Sequence, residues 1–226
     1  MEDSRILFRH PKLISPISII ITLGVIYFVD QSLVILIILL PLWFFIFRPF
    51  SKADILMYIF ASIFIVGQNY SVLKSGGFAF KHKDIFLMPY YEPFMWGFYY
   101  LNIKRFFAEP AGSVKLGAKA FLGLAITGVC FSFFSQEKNL LLISTLFSTG
   151  ILFVMFHELH DLLYSVYALF LGFIIEIFGT LTGLWSYPDP DFLGIPYWFG
   201  TMWISVGLLG RRFLIPFTEW LAGKLP

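Results

Sequence analysis

Apolar residues run through this chain in long, nearly unbroken stretches, not in the narrow stripe of a helix that keeps one face in water. A helix needs roughly 17 to 25 such residues to cross a bilayer core. Cut at its polar interruptions, the chain offers about eight: 13–29, 33–47, 55–72, 86–103, 116–134, 140–156, 161–184 and 195–213. The second is short and holds Pro41, and the fourth is interrupted by Pro89 and Pro93, so either could tilt or re-enter the bilayer. The pattern predicts an all-α, polytopic transmembrane helical bundle. It forms a single integral membrane domain over 1–226 with no sizeable soluble domain.

Charge tests the count, because Lys and Arg beside membrane spans collect on the cytoplasmic side. With eight spans, Lys74, Lys81, Lys83 and Lys138 fall on one side, and the other 12 of the 16 basic residues fall on the opposite side. Arg5, Arg9, Lys104, Arg105, Arg211 and Arg212 belong to that majority, which puts both termini in the cytoplasm. No small-residue cleavage site follows the first span, so it reads as a retained anchor. Composition agrees. Of 226 residues, 58% are hydrophobic and 13% charged, about half the roughly 25% of a globular chain, with a mean hydropathy of +0.82. A disulfide-stapled module is excluded because Cys130 is the only cysteine, and a net charge of +2 excludes a basic nucleic-acid binder. The expected partners are membrane lipid and an apolar, lipid-soluble small molecule. The sequence leaves the oligomeric state open.

An ionisable side chain inside a span is expensive to insert and marks a functional candidate. Glu176 stands in LFLGFIIEIFGTLTGLW and Glu92 in MPYYEPFMWGFYY. Helical periodicity gathers Gly172, Gly179, Thr180 and Gly183 on the face of Glu176, with Ser165 and Glu158 further along the same stripe. The stripe should face protein, either for close helix packing or as one wall of a pocket around a protonatable acid. Glu176 lies about fifteen residues into its span, roughly 22 Å along at 1.5 Å per residue. That depth is the outer half of the membrane, which Glu92 shares. Trp96 and Tyr99 share a face with Glu92, and Trp185, Tyr187, Asp189 and Asp191 lie in the adjoining outer loop. These aromatics read either as faces that stabilise a cation or as an interfacial belt.

A second cluster, FHELHDLLY, holds His157, Glu158, His160 and Asp161. His157 and Asp161 share a helical face and would suit zinc or iron. The alternative is a helix start, with Glu158 and Asp161 at the positive end of the helix dipole. The histidine spacing is not that of the zinc proteases. No Gly-rich phosphate loop, nucleophile elbow or paired-cysteine site is present, and no internal repeat of the kind that marks many transporters is evident. Pro188 and Pro190 stiffen the loop Ser186 to Gly194 into a shaped cap.

The string from Glu176 through Gly179, Gly183, Tyr187, Gly194 and Pro196 to Trp203 resembles the signature region of the bacterial and archaeal membrane carotenoid cyclase and hydratase-like families, over residues about 172–213. Pro89, Glu92 and Phe94 echo a motif of the related lycopene cyclases. The resemblance implies a bacterial or archaeal cell-membrane protein, an isoprenoid substrate held among helices, and Glu176 as proton donor. The expectation is therefore an enzyme that protonates an alkene or epoxide. Such an enzyme needs an acid kept protonated by apolar surroundings, for which Glu176 and Glu92 are the candidates. Asp189 would take the final proton, and Trp96, Tyr99, Thr180, Trp185, Tyr187 and Trp203 would hold substrate, with no cofactor. Two rivals remain. One is a metal-dependent hydrolase or desaturase built on His157, His160 and Asp161; the other is a non-catalytic carrier, scaffold or assembly partner.

Overall fold

In a computed structural model, which describes residues 11–225, the apolar runs become helices close to their expected places. They are α1 (Pro11–Phe28), α2 (Ser32–Phe47), α3 (Lys52–Lys74), α4 (Glu92–Phe107), α5 (Ala118–Phe134), α6 (Lys138–Met155), α7 (Leu159–Leu181), α8 (Trp198–Leu209) and a short α9 (Ile215–Ala222). Three of them, α3, α6 and α7, are long and apolar enough to cross a membrane by length and composition, and α1, α2 and α5 are shorter apolar helices. Large apolar side chains such as Phe28, Ile63, Phe133, Phe147, Val154 and Phe170 stay exposed on the helices, a perimeter suited to lipid rather than water.

The largest shift is at the fourth helix. The fourth helix starts at Glu92 rather than 86, because Phe86 and Leu87 take positive φ in a tight turn closed between Ile85 and Met88. Pro93 then sits in the first turn, where its missing N–H leaves no bond unmade. Pro41 lies inside α2 without ending it. At the other end of the chain, α8 runs through a π-helical turn, Gly210–Leu214, into α9.

The structure corrects the expectation that the chain has no internal repeat. The four helices α1 to α4 recur as α5 to α8 at a constant step of 107 residues, seen in Asp54 and Asp161, Gly76 and Gly183, Trp96 and Trp203, and Arg105 and Arg212. The likeness extends to detail. Capping boxes open α3 (Ser51, Asp54) and α7 (Glu158, Asp161). Gly76 and Gly183 both leave the helix with positive φ. The tight turn at 85–88 recurs between Phe192 and Ile195. Each half has four helices, an even number, so equivalent helices run in the same direction and the halves form a parallel repeat about an axis along the helices.

That axis can be located. Strand β1 (Ala79–Phe80) pairs antiparallel with β2 (Trp185–Ser186), and in its register Ala79 faces Ser186, its own equivalent in the second half. Trp96 and Trp203, also equivalents, stack with centroids 5.4 Å apart at 24°. Away from the axis the symmetry fails. α4 packs on α7, but α8 makes little of the matching approach to α3, and α9, which has no counterpart in the first half, packs on α3 instead.

Charged groups sort to the two ends. At the end that holds the 3–4 and 7–8 loops, Lys138 pairs with Asp189 and Asp191, each at 2.7 Å, and Ser32 donates to Asp84. At the opposite end Lys104 and Arg105 grip Asp54 at 2.9 and 3.0 Å. Arg211 and Arg212 do the same to Asp161, each at 2.6 Å. This division follows the charge asymmetry of the sequence for the described residues; Arg5 and Arg9 lie outside them.

Candidate functional site

Where α8 and α3 fail to close, a cavity of about 400 Å³ opens, within the usual range of small-molecule pockets. Its walls come from α3 to α9, and its lining is mostly apolar and aromatic. Glu92 and Glu176 both line it, as do Trp96, Tyr99, Trp185, Tyr187 and Trp203. No Lys, Arg or His is among the described lining residues. The two carboxylates expected to share a depth therefore share a chamber.

Each acid is held by aromatic and amide donors. Glu92 Oε1 accepts from Trp96 Nε1 at 3.2 Å, one turn along α4, and from Asn69 Nδ2 of α3 at 3.4 Å. Glu176 Oε2 accepts from Trp185 Nε1 at 2.7 Å and from the Tyr187 hydroxyl at 2.8 Å. Among the described residues, Glu92 Oε2 and Glu176 Oε1 receive no protein donor. Each carboxyl thus has one oxygen fixed and the other available to a ligand.

The glycines of α7 account for the placement of these rings. A Cβ at Gly179 would strike the indole of Trp185, and one at Gly172 the indole of Trp203. Bare backbone lets both rings lie flat on α7, so the stripe faces protein as expected but admits tryptophan rings rather than a second backbone. The β1–β2 ladder then fixes the approach of Trp185, which meets Phe80 at 5.8 Å.

Several expected members stand elsewhere. Gly183 lies beyond the end of α7 in a left-handed turn, so it is not part of the helical stripe. Thr180 does not line the cavity; its hydroxyl bonds to the carbonyls of Glu176 and Ile177 and, at 3.1 Å, to that of Leu193, tethering the loop that follows α7. Asp189 is displaced from the site altogether. Its side chain is 74% exposed and paired with Lys138 at the start of α6, which holds it outward.

The FHELHDLLY cluster is at the opposite end. Both oxygens of Asp161 are taken by Arg211 and Arg212, and Oδ2 also caps the backbone N–H of Glu158. His157 and His160 are exposed. Among the described residues no group of three or more His, Cys, Asp or Glu stands close enough to hold a metal ion, so the ligand set read from His157, His160 and Asp161 does not assemble. The arrangement is that of a helix start with an ion-pair network. Arginine hydrogen bonds hold the carboxyl of Glu158 below the usual carboxylate range. Burial pushes that of Glu109 up, but its bonds to Arg211 outweigh this and hold it low.

Sequence reading missed the contribution of α3. Asn69, which braces Glu92, is the repeat equivalent of Glu176, so the 107-residue step from Asn69 to Glu176 would have pointed to it.

No protein-family model matches the chain, and no curated protein matches it. Its fold is similar to that of solved structures of a mycobacterial Insig homologue, MvINS from Mycobacterium vanbaalenii. One aligns with a TM-score of 0.65 and 14% identity over 79% of this chain and 99% of the other. A second, of a cross-linked MvINS trimer, aligns with a TM-score of 0.65 and 15% identity over 79% and 98%. At such identity the likeness is one of fold, and with the apolar helices it makes this chain a helical integral membrane protein.

Proposed function

We propose that the protein takes a lipid-soluble, isoprenoid-like molecule from the bilayer into this cavity and protonates an alkene or epoxide on it. Glu176 or Glu92 is the acid. The observation that carries the reading is the pair of carboxyls in one aromatic chamber, each with an oxygen free of protein donors and with no basic side chain among the described lining residues. Protonating carbon requires an acid that holds its proton at neutral pH, and apolar surroundings favour the neutral form of a carboxyl. The cation produced would face Trp96, Trp185 and Trp203, whose ring faces attract positive charge. The second carboxyl can take a proton back, a role first assigned to Asp189. No cofactor is called for.

Replacing Glu176 or Glu92 by Gln keeps shape and most hydrogen bonding but removes the transferable proton. Conversion of a bound isoprenoid should fall by roughly 10²–10⁴-fold with little change in thermal stability. A second reading, a non-catalytic lipid carrier, is favoured by the donors already on each carboxyl, which would serve a purely structural glutamate equally well. It predicts that both Gln variants bind lipid as the parent does and that neither parent nor variant turns it over. The proposed orientation places the Arg211–Asp161 end and both termini in the cytoplasm; reporter fusions at each terminus check it, and a reporter on the outer side contradicts it.

A further inference from the structure

Among the described residues, the face that α3 turns to the cavity is apolar except at two neighbouring positions, Gln68 and Asn69. Asn69 uses its amide on Glu92. Gln68 has no hydrogen-bond partner among the described residues. Phe64 and Val72, one turn to either side of it, line the cavity as well, so Gln68 stands in the middle of that face and not at its edge. Its side chain is half-buried. Neither amide atom is among the unpartnered polar atoms sealed inside the protein, which belong to Tyr58, Ser62, Thr149, Ser165 and Trp203. Gln68 is thus open to the cavity.

The fold does not require an amide here. The equivalent position in the second half is Ile175, which also lines the cavity and is 3% exposed. A carboxamide offers two N–H donors and a carbonyl acceptor, and each is costly to leave unmatched in apolar surroundings. Sites that hydrogen-bond a ligand discriminate against analogues that lack the matching group. The glutamine side chain is flexible enough to turn toward such a group, and it stands next in sequence to the side chain that reaches Glu92.

We propose that the Gln68 amide binds an oxygen of the bound lipid at the acid end of the cavity, so that the protein selects an oxygenated isoprenoid-like ligand, an alcohol, ether or epoxide, over the corresponding hydrocarbon. The inference rests on the lipid-cavity reading above and adds the polar group that the ligand carries and the residue that meets it. An ether or epoxide oxygen accepts from the amide N–H. An alcohol does the same and keeps its own proton for an open carboxylate oxygen of Glu92 or Glu176.

The test uses the full chain in nanodiscs and three probes: geranylgeraniol, its methyl ether and its deoxy hydrocarbon, compared by competition in native mass spectrometry. The ether is the deciding probe, because it can accept a hydrogen bond but cannot donate one to a carboxylate. The wild type should prefer the alcohol and the ether by roughly tenfold, the worth of one hydrogen bond. Gln68→Leu removes the amide and makes the position apolar, as Ile175 is in the second half, and ether and hydrocarbon should then bind equally. Gln68→Met repeats the comparison with an unbranched side chain, which keeps the test sound if the leucine disturbs packing. Equal binding of all three probes by the wild type, or an ether preference undiminished in either variant, overturns the contact and leaves the cavity reading standing. Failure of all three probes to bind overturns both.

Discussion

At the scale of single residues, the site depends as much on what is absent as on its acids. Gly172 and Gly179 are the positions where any side chain would collide with an indole that the cavity needs. Gly179→Val should push Trp185 off α7 and break its 2.7 Å bond to Glu176. The expected loss is about 1–3 kcal/mol of stability, typical of overpacking, together with loss of lipid binding, read from thermal unfolding and ligand retention on one preparation. Unchanged retention would show that Trp185 does not shape the cavity. Glu176 and Glu92 were legible in the sequence because a carboxylate in an apolar run is conspicuous, and the aromatics at helical spacing from them followed. Thr180 and Asp189 misled because their roles are set by a loop. Thr180 Oγ1 reaches the carbonyl of Leu193, and Lys138, from another helix, draws Asp189 outward.

Among elements, the telling comparison is between equivalent helix pairs. In both halves the capping aspartate of the third helix is gripped by two consecutive basic residues at the end of the fourth: Asp54 by Lys104 and Arg105, Asp161 by Arg211 and Arg212. Asp161 is fully buried and Arg211 is 4% exposed. Arg211→Met should therefore remove one of the two arginines on that carboxylate while the bidentate Arg212 stays in place, and cost about 1–3 kcal/mol. The same network gives a pH dependence of definite sign. The folded-state values of Glu109 and Glu158 are lowered, so their contribution is complete above the unfolded value near pH 4.3. It is lost as pH falls through the lower folded values. The unfolding temperature of the parent should drop with acidification below about pH 4.3, and Glu158→Gln should flatten that drop. An identical acid profile in the variant would contradict the assignment. Helix positions were legible because lipid demands long apolar runs. The duplication was not, because the constraint to stay apolar is met by many residues, and only scattered identities survive, such as Pro89 with Pro196 and Tyr90 with Tyr197.

For the whole molecule, a symmetric duplication would give two equal interfaces across the axis, and the chain has one. α4 closes on α7, while α8 and α3 stand apart with α9 packed below, and the cavity is that difference. Fold and site thus rest on the same differences: the second half has Phe199 where the first has Glu92, Glu176 where the first has Asn69, and α9 besides. The gap is suited to an apolar molecule from the bilayer. The most direct measurement is extraction and mass analysis of small molecules carried by the purified full chain, compared with Gly128→Trp. Gly128 lines the cavity and has open space beyond its Cα, so the indole should fill the gap without disturbing the helices. The parent should carry an isoprenoid-like lipid in near-stoichiometric amount and the plugged variant almost none. A parent with no apolar molecule above the detergent background, or equal amounts in parent and variant, would contradict the account.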